Sequence, residues 1–149
     1  MPASRVRPLE DLPTPAVGAP GPILVANEVA GSLAYLESRS DAFALVRLVG
    51  LAAVRWGPPN DEARAANTNA APLYGCFEIV DSDWLDNLRS LSALDPTRPD
   101  QEWAVALRHL QFRFHDSTLD LATEGYISEL RFAPLREIIP ELTQATIGA

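Results

Sequence analysis

The stretch RHLQFRFHDSTLDLATE, residues 108–124, constrains the fold more than any other segment. Leu110, Phe112 and Phe114 alternate with His109, Gln111, Arg113 and His115. Beyond Asp116 and Ser117, Leu119 and Leu121 alternate with Thr118, Asp120, Ala122 and Glu124. Period two in both runs predicts a hairpin with one apolar and one polar face. Asp116 and Ser117 suit a two-residue turn, because aspartate bonds its own backbone there. That turn sets a register in which His115 faces Thr118, Arg113 faces Asp120 and His109 faces Glu124. A one-residue slip would mix the faces.

The remaining segments suggest further elements. Asn27 can cap a helix over 26–39, where Val29, Leu33 and Leu36 fall at helical spacing. The apolar run 43–56 reads as a strand bent at Gly50. Residues 57–72 read as a loop, with turn chemistry at Pro58, Pro59, Asn60 and Asp61 and a short helical turn near Glu62. LYGCFEIV, 73–80, reads as a strand with Tyr74, Cys76, Glu78 and Val80 on one face. Residues 81–94 form the clearest helix, capped by Asp81 or Ser82, with Trp84, Leu85, Leu88 and Leu91 as its buried stripe. DPTRPD, 95–100, breaks the chain, and residues 134–142 form a last helix begun by Pro134 and disturbed by Pro140. The sum is an α+β fold, with about four antiparallel strands and two to three helices packed on one face. Residues 1–22 carry six prolines and two glycines. They read as a flexible arm, and 23–149 as a single domain.

Composition excludes several functions. The net charge is -8, which repels phosphate backbones and argues against nucleic-acid binding. No apolar run of about 18 residues is present, so no membrane helix is expected. All 12 basic residues are arginine, which removes Schiff-base chemistry on a lysine side chain. The single cysteine, Cys76, excludes an internal disulfide and suits a cytoplasmic setting. No phosphate loop, nucleophile elbow or paired-cysteine motif occurs, so no cofactor is expected. His109 and His115 lie six residues apart, roughly 20 Å along a strand, too far to share one metal.

The candidate catalytic residues are His109, Glu124 and Glu78. A carboxylate opposite an imidazole orients it and raises its basicity, and Glu78 would supply a second acid. The candidate ligand-binding residues are Arg113, His115, Asp120, Tyr74, Asn60, Asp61 and Glu62. Arg113 could clamp a carboxylate, and the polar loop at 60–62 is the kind of place where sites lie on a rigid scaffold. Tyr74, Glu78, His109 and Glu124 would converge if the two strand faces adjoin. His115 and Asp116 are neighbours on one strand, so they point apart and are not expected to form a dyad.

The segments GPPNDEA (57–63), YGCFEIVDSDW (74–84) and FRFHDSTLDLA (112–122) together resemble a bacterial family of uncharacterised function. The resemblance covers roughly residues 55–122 and implies one domain without implying a mechanism. This chain has no histidine between 57 and 72, a departure from the family pattern that argues against carrying a catalytic role across. Two functions follow. The favoured one is a non-catalytic binding or accessory protein, whose acidic surface meets a basic protein partner. The alternative is a cofactor-independent acid/base enzyme acting on a small metabolite through His109 and Glu124. An exposed sheet edge could pair two copies into a homodimer, though nothing in the sequence requires it.

Overall fold

Period-two patterning governs far more of this chain than the hairpin alone. The computed structural model describes residues 5–18, 21–66, 72–95, 97 and 102–148, with the backbone alone at 102 and 103. Five strands form one antiparallel sheet, in the order β1 (Arg5–Pro8), β6 (Gly75–Val80), β7 (Arg108–Arg113), β8 (Thr118–Thr123), β5 (Ala53–Gly57). Four form a second, in the order β2 (Ile23–Ala26), β3 (Gly31–Leu36), β4 (Phe43–Val49), β9 (Gly125–Arg131). Three short helices, α1 (Asp61–Ala66), α2 (Asp83–Ser92) and α3 (Glu102–Val105), and a longer α4 (Leu135–Ile147) complete the described chain. The expected four strands under helices on one face are therefore overturned. Among the described residues nine strands make two sheets, with α2 packed on the outer face of one and α4 on the outer face of the other.

The sheets meet through a core that includes Cys76, Leu110, Phe112, Phe114, Leu119 and Leu121 from one side and Leu33, Tyr35, Ala44, Val46 and Leu48 from the other. Tyr35 packs edge-on to both Phe112 and Phe114. On the outside, α4 sets Ile138 and Leu142 on Ala34, Phe43 and Leu45. Burying each of these two side chains contributes roughly 1.5–3 kcal/mol. Pro140 lies on the exposed side of α4, and the helix continues through it to Ile147. α2 places Leu85 against Leu107 and Ala122 on the outer face of the other sheet. Its expected fourth anchor, Leu91, is exposed.

The run 26–39 is a hairpin rather than a helix. Asn27 Oδ1 accepts the N–H groups of Val29 and Ala30, which closes the turn between β2 and β3. The same side-chain chemistry caps helices and builds turns, so Asn27 alone did not separate the two. β3 is buried on both faces from Gly31 to Tyr35, which erases the alternation that marks a half-exposed strand.

The proline-rich leader supplies structure in its described part. Arg5–Pro8 pair with β6 as an edge strand, and Leu9, Leu12 and Pro15 are buried. Residues 67–71 of the expected loop and most of 96–101 lie outside the described residues. Among the described residues, no helix is long and apolar enough to cross a membrane.

The two sheets are joined by a bent ribbon. β4 pairs with β9 up to Val49 and Gly125, and β5 pairs with β8 from Ala53 and Ala122. Three residues, Gly50, Leu51 and Ala52, thus oppose two, Thr123 and Glu124. The extra residue is a bulge, which bends the ribbon and lets both strands change sheets together. Gly50 sits at φ 65°, and a Cβ there would fall 2.8 Å from Glu124 Cγ. Gly50→Ala should cost about 1–2 kcal/mol through the left-handed backbone, read as a lowered urea midpoint with an unchanged slope.

Candidate functional site

The polar face of the β7–β8 hairpin is buried rather than solvated, and its register differs from the expected one. His109 faces Ala122, Gln111 faces Asp120 and Arg113 faces Thr118. The connection runs over four residues, Phe114–Ser117, closed by the Phe114 N–H donating to Ser117 O. The shift is two residues, so every side chain keeps its face while every partner changes. His109 and Glu124 do not oppose each other, and Glu124 is exposed.

A chain of hydrogen bonds crosses this face. His109 Nδ1 lies 2.7 Å from Ser82 Oγ, and Nε2 lies 2.6 Å from Asp120 Oδ1. An ionised carboxylate only accepts, so Nε2 carries the proton. Ser82 Oγ also accepts the N–H of Leu85 and so caps α2. Gln111 Nε2 donates to Asp120 Oδ1, and Arg113 Nε donates to Gln111 Oε1. Arg55 reaches Asp120 Oδ2 at 3.2 Å from the strand on the other side. Trp84 closes the layer, with its ring centroid 4.9 Å from that of His109 and the Arg55 guanidinium 4.7 Å above it. Burial pushes the Asp120 carboxyl up, but the bonds from His109 and Gln111 and the charge of Arg55 outweigh it, leaving the group below its ordinary value.

Tyr74, Glu78, His109 and Glu124 do not converge. Glu78 stands on the core side of β6, where it pairs with Arg7 and with Arg108 at 2.7 Å. Those two arginines outweigh the burial that would raise its carboxyl, and it too lies below its ordinary value. Beside it, a groove of about 340 Å³ runs along the start of α2, with Asp81, Asp83, Asp86, Arg89 and Arg108 among its walls. Ser82 and His109 reach this groove, but each is only 4% exposed.

The other candidates gather at the far end of the same sheet. Asp61 Oδ2 accepts the Tyr74 hydroxyl at 2.5 Å and lies 2.7 Å from His115 Nδ1. The Tyr74 bond, with help from His115, holds the Asp61 carboxyl below the usual range, and the same bond raises the Tyr74 phenol. Asn60 Oδ1 accepts the Ala63 N–H and caps α1, and Glu62 faces solvent. His115 thus has an aspartate partner, but it is Asp61 and not its neighbour Asp116, whose Oδ1 is 3.7 Å from Nε2. The cleft at His115 holds only about 40 Å³. That is far below the volume that encloses a metabolite.

Beneath this cluster lies a residue that no sequence signal singled out. Arg64 is 4% exposed. It donates to the carbonyls of Pro59, Leu73, Phe114 and Ser117 and to the Thr118 hydroxyl. Burial lowers its pKa. One guanidinium therefore ties the β5–α1 loop, the β6 approach and the β7–β8 loop together. Its sequence context, a lone arginine among alanines, resembles any exposed helix position. Among the described residues no group of three or more histidine, cysteine, aspartate or glutamate side chains could hold a metal ion.

Two outcomes follow from these networks. Asp120→Ala should cost about 1–3 kcal/mol at neutral pH, because it leaves the buried His109 N–H without its acceptor. The lowered Asp120 carboxyl contributes stability that is complete above its unfolded value, about pH 4, and is lost as pH falls through the folded value. Acid titrations of stability should therefore be flatter for Asp120→Asn than for the native chain. Arg64→Met should cost roughly 3 kcal/mol by leaving buried carbonyls without donors, and amide exchange should quicken at 59–61 and 114–118 together. Comparison with known proteins brings no relative to this geometry: no family model, no curated protein and no solved structure matches the chain.

Proposed function

We propose that this chain is a non-catalytic binding protein that engages a partner with a basic surface. The observation that supports the reading best is the condition of the groups that could do chemistry. His109 and Asp120 are 4% and 5% exposed and spend their hydrogen bonds on Ser82, Gln111 and Arg55. A general base must reach a substrate proton, and these cannot. What the molecule presents instead is acidic surface, with a net charge of -8. Such a field steers a basic partner and speeds its approach. The reading takes the chain as a relative of the bacterial family that its three segments resemble, working in the cytoplasm. The thiol of Cys76, buried and pushed up to about 12 chiefly by that burial, suits a structural role there.

One observation favours a second reading. His115 is partly exposed and is oriented through Nδ1 by Asp61. That is the arrangement of a general base with its orienting carboxylate. Under this reading His115→Gln would lower turnover by roughly 10²-fold or more. The binding reading expects no turnover above buffer from the native chain on ester, amide or phosphate substrates.

The deciding experiment immobilises the chain and passes source lysate over it at low salt. A basic protein should be retained with a defined stoichiometry. Its affinity should fall at least about tenfold between ~0.05 and ~0.5 M salt as screening sets in. Retention of acidic or neutral proteins alone, or a salt-independent affinity, would rule the reading out.

A further inference from the structure

The two sheets leave four outer edges, and three are protected in familiar ways. β1 carries Arg5, Arg7 and Pro8. β2 has four residues, of which Ile23 and Val25 pack into the cluster under α4. β9 carries Glu129 and Arg131, which pair with each other, and Arg131 also pairs with Glu141. β5 differs. Its one charged residue, Arg55, is drawn onto Asp120 and over the Trp84 ring. Val54 and Trp56, opposite Leu121 and Leu119, share one face and are each 42% exposed. Among the described residues no strand pairs with the side of β5 away from β8.

The end of this strand runs into the platform that Arg64 fixes. The Trp56 indole Nε1–H donates to Ser117 Oγ at 2.8 Å, so the ring is already held in place. Asp116 precedes that serine and Glu62 stands on α1 beyond the Pro58–Pro59 turn, both exposed. Among the described residues no arginine pairs with either, and Asp116 has only the His115 ring beside it, at 3.7 Å. An open edge, two apolar side chains on one face and two exposed carboxylates without an arginine partner at one end together specify an occupant.

We propose that β5 is a docking edge that accepts an extended, basic segment of a partner protein as a sixth strand of its sheet. This deepens the binding reading above and rests on it. Backbone hydrogen bonds along 53–57 supply affinity without sequence demand. Apolar side chains of the segment lie against Val54 and Trp56, and an arginine or lysine at its end meets Asp116 and Glu62. The loops need no ordering on binding, because Arg64 has ordered them already, so less of the interaction is spent on entropy.

The test is an NMR titration of the isotope-labelled full chain with a capped hexapeptide alternating valine and arginine. The largest amide shifts should fall at 53–57 and 115–117, and the β5 amides that face away from β8 should exchange more slowly. The same peptide with glutamate for arginine should bind at least about tenfold more weakly, and Trp56→Ala should weaken the arginine peptide by about tenfold. No binding of the arginine peptide, shifts centred elsewhere, or equal binding of the glutamate peptide would overturn the proposal. Sedimentation serves as a second measurement. A native dimer that Val54→Lys converts to monomer would show that a second copy occupies β5, which also overturns it. A basic partner retained equally by native chain and Val54→Lys would leave the binding reading standing and remove β5 as its site.

Discussion

The bulged corner at Gly50 is the constraint on which the rest of the molecule depends. Two strands that began as one antiparallel ribbon must leave one sheet and enter the other without losing their pairing. The three-against-two mismatch between 50–52 and 123–124 does this. Glu124 N–H still donates to Val49 O, and Ala52 N–H to Ala122 O, so backbone pairing is carried around the bend. Thr123, fully buried, adds its hydroxyl to Val49 O. The bend puts the apolar face of β7–β8 inside the sandwich and turns the opposite face outward, under α2.

Placing a polar face under a helix is costly unless its groups find partners. The chain from Ser82 through His109 and Asp120 to Gln111 and Arg113 meets that condition, and it joins α2 to the sheet through the same serine that caps the helix. The arrangement has the membership of a catalytic triad, yet its serine is committed to a helix N–H and its histidine is walled in by Trp84. Arg64 solves a different problem at the other end of the sheet. Three loops that lack regular backbone pairing present carbonyls inward, and one guanidinium, with several donors in a fixed fork, answers four of them. Both networks spend reactive residue types on architecture.

The functional picture follows from this division. Chemistry-bearing groups are inside and occupied, and the exterior offers charge, an open strand edge and a rigid loop platform. That division is what the proposed binding role rests on. His115 and Asp61 are the exception, since they keep an oriented imidazole at the surface, beside a cleft too small for a metabolite.

The alternation in 109–124 determined, by itself, that this stretch is a hairpin with one face apolar, and Gly50 marked where the run 43–56 must turn. The helix at 83–92 was legible from Ser82 and its apolar spacing, and Asn60, Asp61, Glu62, Tyr74 and His115 were marked as polar groups worth watching. Their meeting was not legible, because it depends on contacts between residues 54 positions apart, as for His115 and Asp61. The hairpin's register escaped for a sharper reason. A two-residue slip preserves every face, so the binary pattern is blind to it, and only the length of the 114–117 loop in three dimensions chose between His109 facing Glu124 and His109 facing Ala122. The number of strands escaped too, because β3 is buried on both sides and β1 lies in a proline-rich segment. Tertiary structure decided which polar residues would be interior, since a second layer, not the strand's own sequence, determines whether its polar face meets water or a helix.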